Sequence, residues 1–318
     1  MNNIPAIQDA PVKKSIGLFS TPILFMIFNR PDATKRVFDA IRKIKPAKLY
    51  IAADGPRLGK EREVELCDRT RQVTEVIDWP CEVYRKYSDS NLGCKMGVSG
   101  AITWFFDNVE EGIILEDDCL PNLSFFYFCQ ELLNKYRNIE KVKMISGDNF
   151  QFGKKYGDAS YYFSNFPSIW GWATWRRAWK EYDIDMENYP DFKKNNRIAR
   201  IFKDKKVRRY WLNFFDKLYN NRIDTWDGQW VYSIYSNNGI AILPNVNLIS
   251  NIGFNENATH TKKSGNILNN IPTETLGFII HPKTITINEE GDRFTFKTIF
   301  YESFPKKIIN KIRINLNI

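Results

Sequence analysis

The sequence predicts an α/β protein built on a doubly wound, mostly parallel central sheet flanked by helices. Three observations predict it. Short apolar runs alternate with helix-periodic stretches over about 120 residues. The first run, PILFMIF at 22–28, is apolar at every position, as suits a strand covered on both faces. Charged residues gather where the runs end, at Arg30, Asp54 and Glu116 to Asp118, and such sheets bind ligands beyond the carboxyl ends of their strands.

Each element follows from local pattern. Asn29 and Pro31 open a helix in which Ala33, Val37, Ala40, Ile41 and Ile44 recur at three- to four-residue steps and bury one stripe. A second strand reads LYIAAD at 49–54, and the DGPRLG after it is a turn-rich break. A helical segment from about 60 to 77 precedes a short strand near 81–87, the loop SDSNLG and a helix near 95–107. The fourth strand, GIIL, runs into the acidic triplet, and VKMISG at 142–147 reads as a fifth. Past residue 150 the pattern turns to aromatic loops and helices, which sets the boundary between two halves.

Composition bounds the function class. Over 318 residues, 43% are apolar and 26% charged, which excludes a disulfide miniprotein and a low-hydrophobicity disordered chain. The 46 Lys and Arg against 37 Asp and Glu leave a net charge of +9, favouring anionic partners such as phosphates, acidic lipid surfaces or nucleic acid. Aromatic residues reach 15%, many beside polar neighbours, a composition that suits stacking on carbohydrate or bases. The five cysteines are odd in number, with no C-x-x-C pair and no zinc spacing, and read as reduced thiols. No signal-like start and no run near ~20 apolar residues is present, so a cytoplasmic protein with at most peripheral membrane contact is expected.

Three consecutive carboxylates after a buried strand repel one another unless a cation or hydrogen bonds compensate, so something positive is expected beside Glu116, Asp117 and Asp118. Hard oxygen ligands suit Mg²⁺ or Mn²⁺, whose shell substrate phosphates usually complete. The rival reading is electrostatic support for the next helix, with Pro121 marking its start.

The segments FNRPDATKR, AADGP, IILEDDCLPNLSFFYF, FSNFPSIWGWATWRRAW and TWDGQW together resemble the metal-dependent GT-A glycosyltransferases, most of all the N-acetylglucosaminyltransferase I group, over about residues 22–260. The resemblance implies a Rossmann-like GT-A fold. Residues 15–150 would form the nucleotide-sugar-binding half, 151–280 the acceptor-binding half of the same domain, and 281–318 a basic C-terminal tail. It implies Asp118 as metal ligand, Glu116 and Asp117 on the sugar nucleotide, and Arg30 and Asp54 on the nucleotide, Asp54 at the base edge. Chemically, a carboxylate accepts from the N3–H of uracil, and Arg30 has a fork to pair with Asp54 or a phosphate; Asp54 is otherwise a turn residue. Lys95 opens the helix before the triplet strand, near a further base or phosphate contact of the family, where the residue type differs.

In TWDGQW, Asp227 takes the position of the family's catalytic base; an acceptor hydroxyl needs one because it is a poor nucleophile at neutral pH. Asp224 is the rival base, and an N-cap is the structural alternative for Asp227, its helix then burying Trp230, Val231 and Ile234. Trp172, Trp175 and Trp179 sit at helical steps and read as one inward stripe of a core helix. Trp170 lies in the loop the family closes over its donor, as a stacking surface for a sugar. His260 is a second metal-ligand candidate or a surface histidine. The terminal KKIINKIRINLNI has the pattern of a membrane-surface helix, or of a strand or tail. The expectation is an inverting transferase using Mn²⁺ or Mg²⁺ and a UDP-sugar, acting on a glycan or lipid-linked glycan and not on nucleic acid. The alternative is a basic, aromatic-rich nucleic-acid-binding protein.

Overall fold

Strand β1 (Ile23–Ile27) is buried at all five positions, as its unbroken apolar run requires. This computed structural model describes residues 19–253 and 267–301. After β1 come α1 (Pro31–Ile44), β2 (Lys48–Ala53), α2 (Glu61–Gln72), β3 (Glu82–Tyr87), α3 (Gly93–Asn108) and β4 (Glu111–Glu116). β1 pairs in parallel with β2 and β4, Ile23 lying opposite Leu49 on one side and Ile113 on the other. The helix stripe read from Val37, Ile41 and Ile44 is buried as expected.

The chain continues through β5 (Cys119–Pro121), α4 (Leu123–Tyr136), β6 (Val142–Ser146), β7 (Tyr161–Ser164), β8 (Trp172–Trp175) and the single turn α5 (Arg176–Trp179). Then follow α6 (Tyr189–Lys194), α7 (Lys205–Tyr219), α8 (Asp227–Ser236), β9 (Ile240–Pro244), β10 (Ile249–Asn251) and α9 (Glu289–Thr295). Among the described residues the main sheet has eight strands in the order β3-β2-β1-β4-β8-β6-β9-β7. It is an α/β architecture with a mostly parallel central sheet, the class the sequence predicts. β8 runs antiparallel to both β4 and β6, so β4 and β6 point the same way and their carboxyl ends share one edge.

Two sequence expectations change here. The tryptophan segment is a strand followed by one turn, not a core helix. Trp172 packs in the core on one side of the sheet and Trp175 on the other, where its Nε1 donates to Leu133 O at 3.1 Å; opposite faces are what strand alternation demands. Nor does Pro121 begin a helix. It ends β5, and Asn122 caps α4 by accepting from Ser124 N at 3.0 Å. The triplet therefore sits before a two-stranded β5–β10 ribbon and does not serve a helix N-terminus. All five cysteines are free, and among the described residues no helix is long and apolar enough to cross a membrane. His260 and the segment from 306 to 318 lie outside the described residues.

Candidate active site

The carboxyl ends of β1, β2 and β4 converge with the first turn of α3 around a cavity of about 380 Å³, whose walls include Phe28, Arg30, Asp54, Glu116, Asp117 and Asp224. The positive charge expected beside the triplet is Arg30. Its Nη1 donates to Asp118 Oδ2 at 2.5 Å and to Asp117 Oδ1 at 3.2 Å, while Phe28 N donates to Asp117 Oδ2 at 3.2 Å. Arg30 thus pairs with the triplet, not with Asp54. Burial raises the Glu116 carboxyl, and repulsion from Asp118 and Asp117 raises it further, against the opposing pull of Arg30. Burial also raises Asp117. Among the described residues, one guanidinium facing three carboxylates leaves a negative excess.

That excess is the ground for testing a divalent ion. Among the described residues no three His, Cys, Asp or Glu side chains are grouped to hold one. An ion held by Asp118 alone, with phosphates and water completing its shell, fits the hard oxygen donor and the excess charge; a protein cage does not. The chain comes back to Asp118 through Ile252 N, which donates to Asp118 O at 2.8 Å, and Gly253 then lies so close that a Cβ there would collide with the Asp118 carboxylate.

Asp54 uses its carboxylate to tie two loops together. Oδ1 accepts from Gly55 N and Leu92 N, each at 2.9 Å, and Oδ2 accepts from Asn91 Nδ2 at 2.9 Å. Gly55 is needed where these loops cross, because a Cβ would meet the Ser90 backbone at 2.5 Å. Burial raises the Asp54 carboxyl, and the N–H donors of Leu92, Gly55 and Gly93 oppose the rise. It remains on the cavity wall while anchoring the start of α3.

Asp227 is the first residue of α8 and not its cap; Trp226 holds the cap position, and the Asp227 carboxylate accepts from Thr225 Oγ1. Trp230, Val231 and Ile234 are buried as the sequence suggests. The Asp227 charge adds to the rise at Glu116, although Asp227 itself does not line the cavity. Its rival Asp224 lines the cavity directly. Lys95 lies off the cavity, with Nζ 4.0 Å from Asp185 Oδ1. Trp170 also lies off it: its N–H donates to Asp148 Oδ2 at 3.0 Å and its ring meets Phe150 edge-on at 5.3 Å.

Sequence reasoning missed two residues at this edge. Arg57 lines the cavity from within the DGPR turn, where it passed as loop composition. Asp148 follows β6 at the same edge, 1% exposed, with Oδ1 unpartnered among the described residues. An acidic position shortly after a buried strand is also where Asp117 and Asp118 stand relative to β4.

No family model matches this chain, and no curated protein matches it. Solved structures with partial likeness include HddC from Yersinia pseudotuberculosis, at 9% identity and TM-score 0.27 over 39% of this chain and 56% of that one. The chain thus spans little more than half of that protein. Mouse xyloside xylosyltransferase 1 matches at 10% identity and TM-score 0.31 over 68% and 81%. The 4-diphosphocytidyl-2C-methyl-D-erythritol synthase of Anaerococcus prevotii matches at 10% and 0.28 over 68% and 97%. At these TM-scores none of the three bears on what this chain does.

Proposed function

We propose that this chain is an inverting, metal-dependent glycosyltransferase that moves a sugar from a nucleotide-diphosphate donor, read as a UDP-sugar, to a glycan or lipid-linked glycan. One observation carries the reading: Arg30, ion-paired with Asp117 and Asp118 at the strand ends, lines with Asp117 a cavity of about 380 Å³ whose walls also include Asp224. Ligands of doubly wound sheets bind at that edge.

In this reading the nucleoside enters between β2 and the start of α3, beside Asp54. Arg30 faces the diphosphate. Asp118 would hold Mn²⁺ or Mg²⁺, whose charge offsets the charge gathering on the leaving diphosphate. A carboxylate from the 224–227 turn takes the acceptor proton as the hydroxyl attacks the anomeric carbon opposite the leaving group, and a single displacement inverts that centre. Asp227 has the family position for this base, and Asp224 has the cavity lining in its favour.

A thermal-shift panel of nucleotide sugars, each with and without Mn²⁺, tests the class. Stabilisation by a UDP-sugar only in the presence of metal is expected. No shift with any nucleotide sugar would sink the proposal.

A further inference from the structure

Beside the donor cavity lies a second one of about 730 Å³, and among the described residues Arg30 and Arg57 are the two side chains that line both. Arg57 is held with unusual care. Glu63, 6% exposed on α2, accepts from Arg57 N at 2.7 Å and from Arg57 Nε at 3.0 Å, and also from Nη2. Asn29 Nδ2 completes the same carboxylate at 2.9 Å. The guanidinium carbon stands 5.8 Å from the centre of the Phe28 ring. Arg57 keeps the Glu63 carboxyl below the usual carboxylate range, so the anchor stays ionised at neutral pH.

The anchor spends only one edge of the fork. Nη1 makes no hydrogen bond among the described residues, and the side chain is 49% exposed while its anchor is buried. A guanidinium presents five N–H donors in a rigid plane, so one edge can be locked while the other receives an oxyanion pair. Arg30, by contrast, is already committed to Asp117 and Asp118.

We propose that Arg57 grips the donor diphosphate and that Glu63 is the positioning residue that aims it, an inference resting on the glycosyltransferase reading above. Orientation by Glu63 and Asn29 means that little side-chain freedom is lost when the anion arrives. A surface ion pair with no such role contributes little to anything.

Calorimetric titration of the full chain with UDP and with uridine, both with Mg²⁺ present, tests this. Arg57→Ala is expected to weaken UDP about 10- to 100-fold, the worth of a charge-assisted hydrogen-bond pair, and to leave uridine unchanged. Arg57→Lys restores the charge but not the fork and recovers part of the loss. Glu63→Gln weakens UDP by less than Arg57→Ala and again spares uridine. Unchanged UDP affinity in Arg57→Ala, or an equal loss for UDP and uridine, would overturn the role of Arg57. A wild-type chain that binds neither UDP nor uridine would instead overturn the function on which it rests.

Discussion

The strand-end edge of β1, β2 and β4 and the tryptophan cluster behind α8 meet at the 224–227 turn, and they spend their residues in opposite ways. At the edge, opposed charges sit within 2.5 to 3.2 Å of one another, and of these Arg30 and Asp117 remain on a cavity wall. In the cluster, Trp172 and Trp226 stack 5.7 Å apart, Trp179 and Trp230 stand 5.2 Å apart, and none of the four is more than 5% exposed. These rings are core. The aromatic composition that suggests stacking on sugars is, at these four positions, consumed by packing, while the charged edge borders a cavity.

Variants that break either side sharpen the contrast. The largest effect is expected from Asp227→Ala, which should lower the transfer rate about 10²- to 10⁴-fold if Asp227 is the base, with an unchanged melting temperature. Asp224→Ala is its control, and the larger loss identifies the base. Trp230→Ala should cost roughly 3 to 5 kcal/mol of stability, read from denaturant midpoints. A stable Trp230→Ala protein that lost only acceptor affinity would make the cluster a binding platform and break the comparison. Asp54→Ala strands the donors of Gly55, Leu92 and Asn91, and a stability loss of about 1 to 3 kcal/mol is expected. It should also loosen the start of α3, read as faster amide exchange at Leu92 and Gly93.

The two regions also differ in how much of them the sequence discloses. β1, β2 and β4 announce themselves because a strand buried on both faces has no polar alternation to confuse it, and the charges at their ends fall in the linear pattern. What pairs with those charges does not. Arg30 meets Asp117 across 87 intervening steps of chain, so choosing the triplet over Asp54 needed the fold. β8 was hidden for another reason: tryptophans at steps of three and four imitate a helix stripe, and only the sheet reveals that Trp172 and Trp175 face opposite ways. β9 was within reach, since IAILP is the same kind of unbroken apolar run as β1. Lys95 and Trp170 are candidates from the resemblance alone, and three-dimensional placement, which linear matching does not carry, leaves both off the cavity at the β1, β2 and β4 ends.

Asp148 gives the smallest effect and separates the two regions most finely, because it sits at the charged edge yet is buried like the cluster. Burial drives its carboxyl well above the ordinary carboxylate range, against the help of Trp170 N and Ser146 Oγ. The native state therefore keeps this proton to a higher pH than the unfolded chain does. Its contribution to stability is greatest in acid and falls as pH rises from the unfolded carboxylate range toward the native one. Asp148→Asn removes that dependence while keeping an oxygen for Trp170 N. The variant should match wild type near pH 4 and exceed it at pH 8. Urea midpoints at the two pH values measure the difference. A gap that stays constant with pH, or a variant weaker at pH 8, would mean that Asp148 is charged and satisfied in the native state, and would move it from the buried region to the working edge.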